Sequence, residues 1–181
     1  MIDLIFSAAL VSGYFYLLLI IWSILRPQQR IWPAGKASWQ LFFYWAVFYL
    51  LVGLTIALIM GDWNSWFLPA SVRWGLGLPL ALLGLGLVGW GIYALGLENT
   101  HGVRDGFITR GPYRFTRNPQ YVGDIVMILG LILVANSPLA TVACFLIILG
   151  FLLMPWAEEI WLEEEYGDEY LQYKISTPRF L

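Results

Sequence analysis

The chain has 181 residues, of which 60% are hydrophobic and only 12% are charged, and its formal net charge is −2. Soluble domains carry about a quarter charged residues, so this composition excludes an ordinary soluble domain and indicates a chain that lies largely in lipid. The single cysteine, Cys144, excludes an intramolecular disulfide and a cysteine-based metal site, and the single histidine, His101, excludes sites that need two histidine ligands. We therefore expect no bound metal, and we expect no nucleic-acid partner.

Five apolar segments approach the roughly 20 residues that a helix needs to cross a bilayer. They are residues 4–25, 39–60, 74–97, 121–135 and 139–157. Only the turn sequence Asn136-Ser137-Pro138 separates the last two segments. Asp124, near the start of the fourth segment, shortens the apolar part of that segment. The sequence therefore predicts an all-α integral membrane protein with about five transmembrane helices, the last two forming a tight hairpin.

The basic residues predict how these helices are oriented. Nine of the ten Lys and Arg residues fall in the loop after the first span, the loop after the third span, and the C-terminal tail; only Arg73 falls elsewhere. Five spans place those three segments on one side, and positive loops face the cytoplasm. We predict a multi-pass protein of a prokaryotic plasma membrane, with the N-terminus outside. The chain is expected to form one membrane domain, with three N-terminal spans in residues 1–97 and a ligand-binding half in residues 98–181.

A glycine-rich stretch in the third span is expected to pack helices together. Residues 84–89 read G-x-G-x-x-G, but that pattern binds dinucleotides only between a strand and a helix. Gly77, Gly84 and Gly91 are each seven residues apart, nearly two helical turns, so they share one face. Small residues on one face let helix backbones approach closely in lipid.

Two polar segments carry the candidate chemistry. The first is the loop Gly111-Pro112-Tyr113-Arg114-Phe115-Thr116-Arg117-Asn118-Pro119-Gln120-Tyr121-Val122-Gly123. Its prolines restrict the backbone, and its arginines suit a polar or anionic ligand, although a basic loop at a membrane edge is an equally good reading. The second segment begins with Glu158-Glu159 at the end of the fifth span and continues past Gly167, where a helix break is expected, with Asp168 starting a further helix.

Adjacent helical residues point about 100° apart, so Glu158 and Glu159 cannot face one pocket in the same way. We expect one to face the site while the other pairs with a loop arginine. Carboxylates near a helix C-terminus are disfavoured by the helix dipole, which strengthens the expectation of a basic partner.

Together, the loop, the hairpin, the double glutamate, the pattern Tyr-Gly-x-x-Tyr-x-x-Tyr of residues 166–173 and the pair Arg179-Phe180 resemble the isoprenylcysteine carboxyl methyltransferase family and its phospholipid methyltransferase relatives. The resemblance covers residues 98–181 and implies an S-adenosylmethionine site between the loop and the C-terminal helix. It implies cofactor-binding roles for His101, Tyr113, Asn118, Pro119, Tyr121, Gly123 and Glu158, and catalytic roles for Arg117 and Glu159. Asn118 departs from the family pattern, which usually has histidine there, and asparagine cannot shuttle protons.

The resemblance thus predicts a methyltransferase that acts on an amphipathic or lipid-like carboxylate, thiol or amine. Arg117 is expected to bind an acceptor carboxylate, and Glu159, rather than Glu158, is expected near the reacting groups. Two alternatives stay open. Sterol reductases have a similar C-terminal signature, to which Gly123-Asp124 corresponds, and they use NADPH. A non-enzymatic membrane protein could also retain the fold.

Overall fold

The computed structural model describes residues 1–180, and it is built there from helices joined by loops without a β-sheet. We number the helices α1 to α6. They are α1 Ile2–Leu25, α2 Trp39–Gly61, α3 Ala70–Leu95, the short α4 Leu97–Thr100, α5 Pro119–Ala135 and α6 Pro138–Ser176. Single 3-10 turns lie at Pro27–Gln29 and Gly111–Arg114.

The predicted membrane architecture is confirmed in its main features. Four helices, α1, α2, α3 and α6, are long and apolar enough to cross a membrane, and the 17-residue apolar α5 is shorter. Asn136, in the left-handed conformation, and Ser137 alone separate α5 from α6, so these two helices form the expected hairpin.

Two helix boundaries differ from the prediction. Helix α3 begins at Ala70 and passes through a π-helical turn at Arg73–Gly77 before it continues as a regular α-helix. Helix α6 continues far beyond Ala157, as a 39-residue helix whose only non-helical backbone lies at Gly167, with φ of 51°. The expected break at Gly167 is therefore present, and the polar part of α6 rises from the membrane edge as a continuation of the last apolar helix.

Glycines join α3 to α5 by the close packing that the sequence predicts. A Cβ atom on Gly84 would lie 2.2 Å from the backbone nitrogen of Met127, and one on Gly77 would lie 3.0 Å from the carbonyl oxygen of Gly130. On the same helix, Gly86 and Gly89 face open space. The G-x-G-x-x-G sequence is thus a helix-packing surface, since one face of α3 meets α5 backbone to backbone.

The main core lies between α1, α2 and α6. Its largest fully buried side chains include Tyr16 of α1 and Tyr44 of α2, and both hydroxyl groups donate to the sulfur of Met154, at 3.4 and 3.3 Å. Gly150 allows this packing because a Cβ there would lie 2.1 Å from the ring of Tyr16. The core thereby fixes the rotation of α6 about its axis.

The three basic segments lie on one face of the molecule, as predicted. A backbone bridge joins Gly35 of the first loop to Val103 of the loop before α5. Ion pairs of 2.6 Å connect Arg30 to Glu164 and Arg104 to Glu165, and so link both loops to the polar part of α6. The remaining basic residue, Arg73, is buried at the opposite end of the helices, where it bonds the carbonyl oxygen of Val134 near the end of α5.

Candidate active site

A cavity lies on this basic face, where the two loops meet the polar part of α6. Its accessible volume is about 100 Å³, smaller than the roughly 300–1,000 Å³ of typical small-molecule sites. Its walls come from the first loop, the ends of α3 and α5, the loop between them, and α6. Twelve of the lining residues carry the chemistry discussed below: Trp32, Asn99, Phe107, Tyr113, Arg117, Asn118, Tyr121, Glu158, Glu159, Tyr166, Tyr170 and Tyr173.

Glu159 lies at the centre of a buried ion network on one wall. Nη2 of Arg117 donates to its Oε1 at 2.8 Å, while Nε and Nη2 of Arg179 donate to Oε1 and Oε2 at 2.6 and 2.8 Å. The Arg117 and Glu159 side chains are only 8% and 7% exposed. Burial opposes ionisation of Glu159, but the hydrogen bonds and charges of Arg179 and Arg117 outweigh it, so the pKa of Glu159 lies below its usual value. Glu159 is therefore a paired carboxylate.

The same network ties the C-terminal tail to the loop before α5. Nη1 of Arg117 donates to the carbonyl oxygens of Lys174 and Thr177 at 2.7 and 2.9 Å. In return, the Thr116 hydroxyl and the Asn118 side-chain amide both donate to the carbonyl oxygen of Arg179, at 3.0 and 2.9 Å. Thr116, Arg117 and Asn118 thus anchor the C-terminal tail, and two of them, Arg117 and Asn118, also line the cavity.

Glu158 lies in a different environment, on the wall that faces the helical core. Nε1 of Trp32 donates to its Oε1 at 2.7 Å, and the hydroxyl of Tyr121 donates to the same oxygen. Trp32 is held in place by stacking on Tyr44, with 4.6 Å between ring centroids. Among the described residues, the second carboxylate oxygen of Glu158 has no hydrogen-bond partner, so it is available to a ligand.

Aromatic rings form much of the remaining wall. Phe107 stacks on Tyr166 at 5.0 Å between centroids and meets Tyr173 edge to face at 5.5 Å. Tyr170 is buried beside them. The ring faces carry partial negative charge, which attracts cations, and they also stack on flat aromatic ligands.

A close backbone approach shapes the mouth of the cavity. Gly102, with φ of 78°, lies so near the ring of Trp32 that a Cβ would be 2.6 Å from it. The positive φ and the lack of space both require glycine at this position. The loop before α5 therefore packs directly over the indole that donates to Glu158.

Six of the nine residues predicted for the site line the cavity: Arg117, Tyr113, Asn118, Tyr121, Glu158 and Glu159. The other three are not among its lining residues. His101 is exposed and rests on Trp45, with 5.2 Å between ring centroids. Pro119 begins α5, and a Cβ on Gly123 would lie 2.7 Å from the backbone nitrogen of Val88, so Gly123 serves helix packing.

The two glutamates lie in different surroundings, as expected, but Glu159 and not Glu158 is the one that pairs with the loop arginine. Both line the cavity, where Trp32 and Tyr121 donate to Glu158. The physical reason is the rotation of α6: its packing against α1 directs position 159 toward Arg117 and position 158 toward Trp32 and Tyr121. Trp32 and Arg179 were not predicted as site residues. Nothing in the sequence near Trp32 indicates a contact with the double glutamate, whereas Arg179 belongs to the Arg179-Phe180 pair of the family pattern and could have been included.

Comparison with known proteins identifies the family of the chain. The family model for phospholipid methyltransferases matches residues 72–169, slightly more than half of the chain. This chain belongs to the phospholipid methyltransferase family. Two curated rice proteins, from Oryza sativa subsp. indica and subsp. japonica, are each 29% identical to it over 134 residues, or 70% of this chain and 68% of theirs. Each is named as a probable protein-S-isoprenylcysteine O-methyltransferase. No solved structure shows significant similarity.

The family matches support a membrane methyltransferase and confirm the resemblance that the sequence motifs indicate. The matched region spans α3, the loop, the α5–α6 hairpin and the polar part of α6 as far as Glu169. It therefore includes most of the cavity walls, while Trp32, Tyr170 and Tyr173 lie outside it.

Proposed function

We propose that the protein transfers a methyl group from S-adenosylmethionine to an amphipathic acceptor at the membrane surface. The observation that carries this proposal is the position of the cavity: it lies where apolar helices end, and it combines an available carboxylate oxygen with a wall of aromatic rings. A soluble ligand can enter between the loops while a lipid-like acceptor arrives from the bilayer.

The cavity residues fit S-adenosylmethionine, which combines a flat adenine, two cationic groups and a carboxylate. The charged lining residues are Arg117, Glu158 and Glu159. Because Arg117 and Arg179 already pair with Glu159, Glu158 is the carboxylate left to a cationic ligand. Two buried polar groups of lining residues, Nε of Arg117 and the hydroxyl of Tyr166, have no hydrogen-bond partner among residues 1–180. Buried polar groups without a partner are costly, so a polar ligand that satisfies them would be favoured.

When bound, this cosubstrate supplies a methyl group on a positively charged sulfur. The residues that line the cavity would then bind the two reactants, orient them and shield them from water. The aromatic wall would hold flat and cationic groups, and Glu158 would provide negative charge near the reacting centre. Holding two reactants in line can supply several kcal/mol of a displacement barrier.

The compartment and orientation belong to the same proposal. The cosubstrate is made in the cytoplasm, and the cavity lies on the face that carries the basic loops. We propose that this face is cytoplasmic and that the protein resides in a prokaryotic plasma membrane, with the lipid bilayer as the source of the acceptor.

The discriminating experiment compares ligands on purified protein. A ligand that binds the native state raises its thermal stability by mass action, by about 2.7 kcal/mol at a hundredfold excess over Kd. S-adenosylhomocysteine should raise the melting temperature, whereas NADPH should not. Stabilisation by NADPH alone would favour the sterol-reductase alternative, and a response to neither ligand would favour a non-enzymatic role.

A further inference from the structure

We infer that the chain after Gly167 returns to the membrane and rests on the phospholipid head-group layer through Leu171, Ile175 and the neighbouring Phe115. Residues 168–180 are called the return segment below. Contacts with the rest of the chain bring the end of this segment to the membrane edge, and its exposed side chains are of the kind that a lipid surface accepts. The lipid is here a docking surface, whichever molecule the cavity methylates.

The return segment runs back alongside the part of α6 that precedes Gly167. The backbone of Gly167 is non-helical, with φ of 51° and ψ of −127°, so the chain changes direction there. Lys174 pairs with Glu163 and lies 3.5 Å from Oε2 of Glu159, while Arg179 also bonds Glu159. Later residues of the segment thus meet earlier residues of α6. The segment therefore descends toward the apolar part of that helix.

The end of the return segment is held at two points where apolar helices reach the membrane edge. The guanidinium of Arg179 lies 4.2 Å from the ring centroid of Trp156, which belongs to the apolar part of α6. On the other side, the backbone nitrogen of Arg117 donates to the carbonyl oxygen of Pro178 at 2.9 Å. Arg117 comes two residues before Pro119, where the apolar α5 begins. Residues 178 and 179 therefore lie at the level of the membrane edge.

The return segment exposes an apolar side just before this point. Leu171 is 42% exposed and Ile175 is 88% exposed, and a spacing of four residues places them on one side of a helix. Tyr170, by contrast, is buried and lines the cavity. Helical geometry turns the exposed Glu169 about 160° away from Leu171. The segment thus has an inner side on the cavity, an apolar outer side and a polar outer side, which is typical of a helix at a lipid–water interface.

The loop before α5 extends the same surface. The hydroxyl of Tyr173 donates to the carbonyl oxygen of Tyr113 at 2.6 Å, which attaches the return segment to the 3-10 turn that ends at Arg114. Phe115 follows this turn and is 61% exposed. Arg114 is exposed and forms no ion pair among residues 1–180. Apolar side chains enter the head-group boundary, and arginine pairs strongly with phosphate, so a phospholipid surface suits both residues.

A lipid surface accounts for these exposed side chains more directly than a protein partner does. Apolar side chains left in water forgo the free energy of burial. The bilayer lies beside the end of the return segment in every copy of the protein, whereas a protein partner would have to displace it. Tyr170 and Tyr173 of the same segment line the cavity, so contact with the lipid would also support one cavity wall.

Depth-dependent fluorescence quenching tests the position of the return segment. The full-length protein carries an environment-sensitive fluorophore at Ile175→Cys or, as the matched control on the same segment, at Glu169→Cys. Cys144 is buried, so little label should attach elsewhere. Each variant is placed in vesicles of phosphatidylcholine and phosphatidylglycerol, with or without bromine atoms on the upper acyl chains. We expect several-fold stronger quenching at position 175 than at position 169. Equal, weak quenching at both positions would overturn the inference.

A second measurement uses the unmodified protein, so it does not depend on how a variant folds. The vesicles now contain a phospholipid with a photoreactive group next to its head group. Trypsin cleaves after Lys174 and Arg179, so the peptide of residues 175–179 should carry crosslinked lipid. The internal reference is the tryptic peptide of residues 37–73, which contains the whole of α2. Crosslinks in the reference peptide but none in residues 175–179 would contradict the lipid contact and would leave the proposed methyl transfer untouched.

Discussion

Arg117 and Glu159, 42 residues apart in the chain, form a buried ion pair in which Nη2 lies 2.8 Å from Oε1. The pair joins the loop before α5 to the polar part of α6. Arg117 also bonds the carbonyl oxygens of the tail, so one side chain holds three parts of the site together. Removing one partner of a buried ion pair leaves an uncompensated charge and is strongly destabilising.

Replacing Arg117 by lysine should therefore act mainly on stability and lower the free energy of unfolding. Lysine keeps the charge but loses the planar fork that reaches Glu159 and two carbonyl groups together. We expect a loss of about 1–3 kcal/mol from the missing hydrogen bonds. For a chain of this size, a melting temperature in detergent should fall by roughly 2–4 °C per kcal/mol. Arg114→Lys is the control, because Arg114 is exposed and forms no ion pair within the described residues. Equal melting temperatures for both variants would contradict the anchoring role.

Replacing Arg179 by glutamine should release the tail while α6 stays folded. The variant loses the two-point bond to Glu159 and the contact of the guanidinium with the ring of Trp156, 4.2 Å from its centroid. Glu159 keeps its hydrogen bond to Arg117, so the buried ion pair between these two residues remains. We expect faster removal of the C-terminal residues by a carboxypeptidase and several-fold weaker binding of S-adenosylhomocysteine. A tail as resistant as that of the parent would show that the backbone bonds alone hold it.

The glycine face of α3 offers a matched pair of substitutions on one helix. Gly84→Ala places a Cβ 2.2 Å from the backbone of Met127, so α3 and α5 must separate. Gly86→Ala meets nothing within 4 Å, and alanine improves helix propensity. We expect Gly84→Ala to lower the melting temperature by several degrees and Gly86→Ala to leave it unchanged or slightly higher. Similar losses in both variants would argue against backbone packing at this face.

The predicted orientation can be tested by cysteine labelling in intact cells. Cys144 is buried, so the parent chain should give little background. A membrane-impermeant thiol reagent should label Ser65→Cys, in the exposed loop between α2 and α3, but should not label Gln172→Cys on the polar part of α6. After permeabilisation, both should react. Labelling of Gln172→Cys in intact cells would place the cavity outside the cytoplasm.

The sequence alone predicted the helices and the glycine face well, because long apolar segments and seven-residue spacings report directly on local structure. The contacts of the site were harder to predict. Trp32 reaches Glu158 across 126 residues, and Arg179 reaches Glu159 only after the chain turns back at Thr177. The rotation of α6, which decides the roles of the two glutamates, is set by packing against α1, and the spacing of residues within α6 does not reveal it.

The shortness of α5 has a consequence for the surrounding lipid. At 1.5 Å per residue, its 17 residues span about 25 Å, whereas the hydrocarbon layer of a typical bilayer is about 30 Å thick. Lipids beside a short helix accommodate the mismatch by local thinning, which draws their polar head groups inward. Asn118, at the first end of α5, lines the cavity, so the thinned membrane lowers head groups toward its mouth. If the acceptor is a lipid, as proposed, we expect it to present its polar end for reaction while its tails remain in the leaflet.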